Sequence, residues 1–207
     1  MLSTIGKMIK QSNLAEKQKL LEVLNSKIRA CEKCMLSITR QHALIGEGDI
    51  NARIMFIALS PGTKEDVENT MFIGPSGKVL NRLFQAAGIE RESVFMTNLV
   101  KCTLPKNRKP KSNEIESCSG FMNAEIEIIQ PQIIVPLGYY ATRSILIKYH
   151  ENPSKQELSF KTINGQLLHL GLNGVKVFPL THPSALLYKP SFEPETIKKY
   201  RKLLTYL

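Results

Sequence analysis

The amino-acid sequence predicts an α/β protein: a three-layer α/β/α domain whose central sheet has four parallel strands. Three observations predict this class. Apolar runs alternate four times with amphipathic stretches of helical period, the pattern of a parallel sheet flanked by helices. The first apolar run is continuous rather than alternating, as in strands that are covered on both faces. With 43% hydrophobic residues, a chain of 207 residues can bury one sizeable core, so we expect a single domain over 1–207.

The N-terminal part of the chain, 1–45, is predicted to be a helical appendage, and 46–207 is predicted to be the α/β/α core. A helix is expected over 14–30, because Asn13 and Glu16 are spaced as a capping pair. The apolar stripe of this helix is formed by Leu20, Leu21, Leu24 and Ile28.

The elements of the core follow from the hydrophobic runs and the residues that interrupt them. Strands are predicted at 53–58, 94–100, 132–137 and 175–181. Helices are predicted at 76–87 (stopped by Gly88), at 113–130 (opened by Asn113 with Glu116), at 139–149, and from Pro194 onward. The polar stretch 150–174 predicts a loop with a short hairpin around Asn164-Gly165 and Asn173-Gly174.

The net charge of the chain points to a polyanionic partner. Lys and Arg total 28 against 18 Asp and Glu, a formal charge of +10, which favours nucleic acid first and an anionic membrane second. No apolar run approaches the roughly 18 residues of a membrane span. The first residues lack the apolar core of a secretion signal. We therefore expect a cytoplasmic protein with no membrane partner.

The cysteines suggest a metal centre. Cys31 and Cys34 form a Cys-x-x-Cys pair, whose spacing lets two thiolates reach one centre. Cys102 and Cys118 lie 16 residues apart, one in a loop and one in a predicted helix. Four thiolates suit either tetrahedral zinc or a [4Fe–4S] cluster, and ligand softness does not decide between them. Cys118 as a core residue and a redox-active Cys-x-x-Cys are the alternatives to one four-thiolate site.

The residues that follow the predicted strands define a candidate pocket, because ligands of parallel sheets bind at the carboxyl ends of the strands. The ends of the four strands carry, in order, Leu59-Ser60-Pro61-Gly62, Asn98, Gly138 and His182-Pro183-Ser184. A turn, an amide, a glycine and an imidazole are therefore expected at one edge of the sheet.

Several chemistries are excluded at this edge. It has no paired carboxylates for glycoside hydrolysis of the usual kind, and the chain has no phosphate-binding glycine motif. His182 and Ser184 are only two residues apart, which argues against a Ser–His nucleophile, and no cluster of His, Asp and Glu has the spacing of a catalytic metal site.

The remaining groups suit a nucleobase. One Asn98 carboxamide can satisfy the O4 acceptor and the N3–H donor of uracil. The imidazole of His182, aimed at O2, would stabilise the negative charge on a departing base, and Phe72 is placed to stack on it. Each residue also has a plainer interpretation: a satisfied core amide, an ordinary loop histidine and a core phenylalanine.

A basic loop follows Asn98. Lys101, Lys106, Arg108, Lys109 and Lys111 fall within eleven residues that contain no acid. A solvated loop is the usual interpretation of such a run. Because this one begins three residues after Asn98 and contains Cys102, it also suggests phosphate contacts beside the pocket.

Several ordered motifs resemble those of the uracil-DNA glycosylase superfamily, specifically its iron–sulfur family 4 from bacteria and archaea. The resemblance covers nearly everything from Cys31 to Tyr188. It is carried by Cys31-Glu-Lys-Cys34, Ser60-Pro61-Gly62, Met71-Phe-Ile-Gly-Pro-Ser-Gly77, Thr97-Asn-Leu-Val-Lys-Cys102, Cys118 and His182-Pro-Ser-Ala-Leu-Leu-Tyr188.

The resemblance implies a monomeric enzyme that removes uracil or a related deaminated base from DNA and begins base-excision repair. It implies a structural [4Fe–4S] cluster on Cys31, Cys34, Cys102 and Cys118, and no catalytic metal. It implies that Phe72 stacks on uracil, Asn98 reads it and His182 stabilises the leaving anion. Leu59 and Ser60 complete the pocket. Leu186 is the implied wedge into the duplex, and Ser184 is an implied phosphate contact. Ser76 is also expected to contact DNA, as are Lys101 and Arg108 of the basic loop.

The first motif departs from the family pattern. The turn Ala58-Leu59-Ser60-Pro61-Gly62 has leucine where the family usually carries a glutamate that positions the attacking water. Because general-base assistance contributes about 10²–10⁴-fold, we expect slower excision or an altered base range. A DNA-binding member of the superfamily that has lost catalysis is the alternative. An electron-transfer protein is a third hypothesis, but it does not explain Asn98 and His182.

Overall fold

The structure, a computed structural model, describes residues 2–149, 159–171 and 175–207. Its centre is a six-stranded sheet in the order β1-β3-β2-β4-β6-β5. The strands are β1 Glu47–Gly48, β2 Ile54–Ala58, β3 Phe95–Asn98, β4 Ile133–Pro136, β5 Leu168–Leu170 and β6 Val175–Val177. The four inner strands are parallel, and β1 and β5 pair antiparallel at the two edges. The predicted α/β class is confirmed, and the expected sheet of four strands is corrected to six.

The two edge strands were not predicted because they are only two and three residues long, too short for a hydrophobic period. The last parallel strand is also shorter than the predicted 175–181. Pro179 has no N–H to donate, although the N–H groups of Phe178 and Leu180 still donate to Ile134 and Pro136.

The helices of the described residues lie on both faces of the sheet. They are α1 Leu2–Arg29, α2 Leu36–Thr39, α3 Thr63–Glu68, α4 Pro75–Ala87, α5 Ser112–Ile129, α6 Tyr139–Tyr149, α7 Phe160–Ile163, α8 Ala185–Tyr188 and α9 Glu193–Leu204. No helix in this described part of the chain is both long and apolar enough to cross a bilayer.

The helix α1 starts earlier than predicted. Its backbone is helical from Leu2, so Asn13 and Glu16 lie inside the helix and the expected capping pair is wrong. Leu21, Leu24 and Ile28 are buried as expected, but Leu20 is 49% exposed. The buried stripe therefore has a width of one residue per turn, which suits packing against a single neighbouring helix, α5.

Helix ends in the core agree with prediction except at α5. Gly88, with φ +77°, ends α4 as expected. Pro194 lies in the first turn of α9. The start of α5 differs from the expectation. The helix begins at Ser112, the Glu114 carboxylate accepts the N–H of Lys111, the residue before the helix, at 2.7 Å, and Asn113 is exposed inside the helix.

The hairpin expectation for 150–174 is only partly testable. Asn173-Gly174 lies outside the described residues, between β5 and β6, which pair antiparallel. Asn164-Gly165 does not form a hairpin, since it joins α7 to β5.

The central strand β2 explains the layering. All five of its residues are buried. Met55 and Ile57 face a core shared with α1, α5 and α6, and the alternate residues Ile54, Phe56 and Ala58 face a second core shared with α4 and α9. Because both faces are covered, the carboxyl ends of the inner strands are the part of the sheet left open for a site.

Candidate active site

A cleft of about 630 Å³ opens at the carboxyl ends of the inner strands. It is lined by residues that directly follow β2, β3 and β4, and by His182 beyond β6. The structure thus brings together the turn after β2, the amide of Asn98, Gly138 and the imidazole, as the strand-end argument predicted. Leu59, Ser60, Phe72, Ser76 and Ser184 also line this cleft.

The imidazole of His182 is held by the chain that follows it. The backbone N–H of Ser184 donates to Nδ1 at 3.2 Å, and Ser184 Oγ lies 2.8 Å from the same nitrogen. Because Nδ1 accepts, we assign the proton of the neutral ring to Nε2. Burial lowers the pKa of His182 to about 4, so the ring is neutral at pH 7. The site therefore offers a neutral N–H donor.

Gly138 makes room for that ring. Its φ is +82°, and a Cβ built on it would lie 3.1 Å from Cβ of His182. A larger residue would meet both backbone strain and a close contact with the histidine.

The amide of Asn98 is buried at the end of β3, where its side chain is at the inner wall of the cleft. Its Nδ2 donates to the thioether Sδ of Met71 at 3.1 Å. Thioether sulfur is a weak acceptor, so this bond satisfies little of the hydrogen-bonding capacity of the amide. This argues against the interpretation of Asn98 as a fully satisfied core amide.

Phe72 is held in an unusual backbone conformation beside the cleft. Its φ is +54°, and its side chain is buried. The loop folds so closely onto α4 that a Cβ on Gly77 would lie 1.7 Å from the carbonyl oxygen of Phe72. Only glycine at 77 permits this approach, which explains one glycine of the 71–77 motif physically.

Hydrogen bonds hold the loop before and after Phe72, and they stabilise the unusual backbone conformation of that residue. Before it, the N–H of Met71 donates to Glu47 Oε1 at 3.0 Å, and Arg91 donates to the carbonyl of Met71 at 2.7 Å. Burial raises the pKa of Glu47. After it, the N–H of Gly74 donates to Glu65 Oε1 at 2.7 Å. Charged side chains from three different segments therefore hold the backbone on both sides of Phe72, and with it the position of the Phe72 ring.

Glu65 is a site residue that sequence reasoning missed. Among the described residues that line the cleft it is the only carboxylate, and its side chain is 7% exposed. Leu59, by contrast, contributes a half-buried apolar side chain at the position where the family pattern usually has a glutamate. The one sequence signal for Glu65 is an acid in the first turn of a helix, three residues after Gly62.

The serines of the predicted site have different surroundings. Ser60 and Ser76 are half-buried in the cleft wall, Ser76 in the first turn of α4. Ser184, expected to contact phosphate, has its hydroxyl beside Nδ1 of His182. The Ser184 hydroxyl therefore helps to orient the His182 ring, together with the backbone N–H of Ser184, which donates to the same Nδ1.

Lys101 does not lie on the DNA-facing surface, so its predicted DNA contact is wrong. Its side chain is 1% exposed, and Nζ lies 2.6 Å from Glu125 Oε2 and 2.6 Å from Thr97 Oγ1. The side chain of Lys101 lies in the core between β3 and α5, because residues 99–102, which follow Asn98, are all buried.

Arg108 lies at the cleft, but its charge is paired. Its guanidinium donates to both oxygens of Glu114, at 2.9 and 2.5 Å. The basic loop 101–111 contains no acid itself, but its Arg108 pairs with Glu114, three residues after the loop. Lys64 is an exposed lysine among the residues that line the cleft, and the exposed Lys106 and Lys189 each follow or precede a lining residue, Asn107 and Tyr188, in the sequence.

The predicted wedge, Leu186, is also wrong in its placement. Its side chain is 4% exposed and packs in the core cluster shared with α4. The helical turn α8 directs the next two residues outward: Leu187 is 46% exposed and Tyr188 is 85% exposed.

The four cysteines line one small cavity, with Arg40 and Lys101 beside it. Arg40 Nη1 donates to Cys102 Sγ at 3.2 Å. Burial raises the pKa of Cys102, and raises that of Cys118 to about 11. Within the described residues, no group of three or more His, Cys, Asp or Glu side chains could hold a metal ion, so the four thiols share a cavity without converging on a single-ion site.

Comparison with known proteins gives a consistent result. Residues 45–205 match the family model of the Uracil DNA glycosylase superfamily. The chain is 40% identical over 186 residues to the type-4 uracil-DNA glycosylase of Saccharolobus solfataricus, covering 88% of this chain and 84% of that protein. Identity to the type-4 enzyme of Sulfurisphaera tokodaii is 39% over 189 residues (88% and 84%), and to that of Thermotoga maritima 35% over 177 residues (86% and 88%).

The matched residues include every strand of the described sheet and every cleft residue discussed above. The chain therefore belongs to the uracil DNA glycosylase superfamily.

Proposed function

We propose that the protein is a uracil-DNA glycosylase, which hydrolyses the bond between uracil and deoxyribose in DNA as the first step of base-excision repair. The observation that carries this proposal is the pairing of a weakly bonded amide, Asn98, with a neutral imidazole, His182, in one cleft. The type-4 enzymes to which the chain is similar support it.

Base recognition follows from the amide. The carboxamide of Asn98 donates to O4 of uracil and accepts from N3–H, while Phe72 packs on the face of the base. Cytosine carries an amino group at position 4 and no proton on N3, so the same amide would meet a donor with its donor. A mismatch of this kind leaves buried polar groups unpaired and can discriminate by as much as about 10⁴-fold.

Bond cleavage follows from the imidazole. The C1′–N1 bond breaks with its electron pair moving to uracil, a water oxygen bonds to C1′, and the proton of that water passes to solvent. As negative charge grows on O2, the Nε2–H of His182 donates to it. A neutral donor is suitable here because it stabilises the anion while its own proton stays in place.

Leu59 implies a slow reaction or an altered base range. A leucine side chain cannot orient or polarise water, so the attacking water is held without an acid at this position. Loss of such assistance lowers rates by about 10²–10⁴-fold. Leu59→Glu is therefore expected to raise the single-turnover rate of uracil release, and Leu59→Gln serves as the uncharged control of similar size.

A [4Fe–4S] cluster on Cys31, Cys34, Cys102 and Cys118 completes the proposal. The four thiols fit such a cluster, because they surround one cavity and each iron of a cluster takes one thiolate. When bound, the cluster supplies a structural crosslink between the end of α1, the loop after β3 and α5. The proposed reaction uses no catalytic metal.

The proposed substrate is DNA that contains uracil or a related deaminated base. We expect the enzyme to act as a monomer in the cytoplasm, as one domain over 1–207 in which 1–45 carries two of the four cluster ligands. Contacts of Ser76, Arg108 and Ser184 with DNA belong to this proposal.

Single-turnover release of uracil from an oligonucleotide tests the function. The proposal expects complete release at high enzyme concentration, with cytosine-containing DNA untouched, and Asn98→Asp is expected to weaken that selectivity. The alternative, a DNA-binding protein without catalysis, is favoured by Leu59 alone. Tight binding without any release would establish the alternative. A panel with uracil, hypoxanthine, xanthine and thymine mispairs defines the base range.

A further inference from the structure

The segment after His182 presents two side chains to the mouth of the cleft in a fixed direction. α8 is a single turn, in which the N–H groups of Leu186 and Leu187 donate to the carbonyls of Pro183 and Ser184 at 3.0 and 3.1 Å. Leu187 and Tyr188 line the cleft and are exposed, whereas Leu186 lies on the inner side of the turn. The turn thus separates one core residue from two outward ones.

Tyr188 is unusual among these residues. It is 85% exposed, the largest exposure among the large apolar side chains described at 14–149, 159–171 and 175–207. Single exposed apolar residues are common on protein surfaces and need no function. Tyr188 differs because it stands at the lip of the cleft, six residues after His182, in a protein whose substrate must leave a base stack.

We infer that Tyr188, rather than Leu186, enters the DNA duplex where the uracil has left. This inference rests on the proposed function. An everted base leaves a gap whose unstacked neighbours must be covered, and minor-groove and base-flipping proteins cover such gaps with apolar or aromatic side chains. The ring of Tyr188 offers a flat face for stacking on a neighbouring base.

Leu186 is unsuited to this role. Moving its side chain into DNA would remove it from the core cluster that includes Leu80 and Leu83 of α4, and would leave a cavity there. Tyr188 needs no such repacking, because its side chain is already in solvent. Next to it, Lys189 is exposed, so a cation lies beside the wedge where the phosphates of the kinked strand would pass.

Four variants test the inference: Tyr188→Ala, Tyr188→Phe, Leu186→Ala and Phe192→Ala. Phe192 is the matched control, since it is an aromatic residue that is 51% exposed and does not line the cleft. Uracil release is measured on double-stranded and single-stranded oligonucleotides of one sequence. A single strand has no partner strand to hold the base in a helix, so it needs no wedge.

Tyr188→Ala is expected to lower release from the duplex about 5- to 100-fold, the range for loss of one aromatic–base stack, and to change release from the single strand less than about twofold. Tyr188→Phe and Phe192→Ala should retain the ratio of the two rates. Leu186→Ala should lower the midpoint of thermal unfolding and retain the ratio. Equal losses on both substrates for Tyr188→Ala, or a duplex-specific loss for Leu186→Ala, would overturn the inference.

A binding readout separates this inference from the proposed function. In a duplex with 2-aminopurine beside the uracil, wild-type protein should change the fluorescence, because eversion unstacks the 2-aminopurine on one side and the ring of Tyr188 then covers it. Tyr188→Ala should alter that signal. If wild-type protein releases no uracil from either substrate, the proposed function fails. The fluorescence comparison then still decides the inference, because a signal that Tyr188→Ala leaves unchanged contradicts it.

Discussion

Asn98 and Lys101 lie three residues apart, both are buried polar residues, and their side chains have opposite surroundings. The ammonium of Lys101 is 1% exposed and lies 2.6 Å from both the Glu125 carboxylate and the Thr97 hydroxyl. The amide of Asn98 is 2% exposed, and its Nδ2 has only the weakly accepting sulfur of Met71 at 3.1 Å. A polar group that is satisfied within the protein stabilises the fold, whereas one left with a poor partner at a cleft is available to a ligand.

The largest effect is expected on the fold side of this comparison. Lys101→Ala would leave the Glu125 carboxylate buried without its cation, and breaking such a pair destabilises by about 3–5 kcal/mol. Chemical denaturation measures the free energy of unfolding. The double variant Lys101→Met with Glu125→Leu removes both charges and should recover most of the loss. A single variant within about 1 kcal/mol of wild type would contradict the account.

In the cleft, His182→Ala is expected to lower the single-turnover rate of uracil release about 10²–10³-fold, because one preorganised hydrogen-bond donor to the leaving anion is lost. DNA affinity and the unfolding midpoint should change little by comparison. Equal losses of affinity and rate would mean that His182 binds DNA rather than stabilising the leaving base. Ser184→Ala is the companion variant, since it removes the hydroxyl beside Nδ1 and keeps the backbone N–H bond.

Glu65 is both a buried charged residue, like Lys101, and a residue of the cleft, like Asn98, because its carboxylate binds the loop that carries Phe72. Glu65→Ala removes the acceptor of the Gly74 N–H, a loss of about 1–3 kcal/mol, and should weaken uracil-DNA binding about tenfold through the loop that carries Phe72. Glu65→Gln keeps an acceptor and should lose less. Glu68→Ala, an exposed acid of the same helix, is the control. If Glu65→Gln is as damaging as Glu65→Ala, the charge rather than the hydrogen bond matters.

The smallest effect is a pH dependence. Because burial lowers the pKa of His182 to about 4, its protonation should not reduce the rate of uracil release between pH 8 and about pH 5. The unfolded chain takes up this proton near pH 6.5, so His182 lowers the free energy of unfolding as the pH falls from about 6.5 towards 4. His182→Asn should lack that part of the stability change. A rate that halves near pH 6.5 would contradict a neutral ring at His182.

The sequence was sufficient for the parts of the fold that depend on local pattern. The inner strands, α4 with its glycine end, and the meeting of Asn98 with His182 followed from hydrophobic runs and from the geometry of parallel sheets. These features need only the order of elements along the chain, which the pattern preserves.

The sequence was not sufficient where a side chain's direction depends on tertiary packing. Lys101 and Leu186 occur in motifs that suggested DNA contacts, yet the fold turns both inward. Glu65 accepts the N–H of Gly74 from the 71–77 loop, a tertiary contact that no local period indicates. Arg108 finds Glu114 for the same reason.

A crystal structure with a duplex containing a non-hydrolysable 2′-fluoro analogue of deoxyuridine would show where the uracil binds. We expect the everted uracil in the cleft, with the Asn98 amide at O4 and N3, Nε2 of His182 at O2, and the ring of Phe72 on its face. A base bound elsewhere, or a uracil whose edge meets neither side chain, would contradict this expectation.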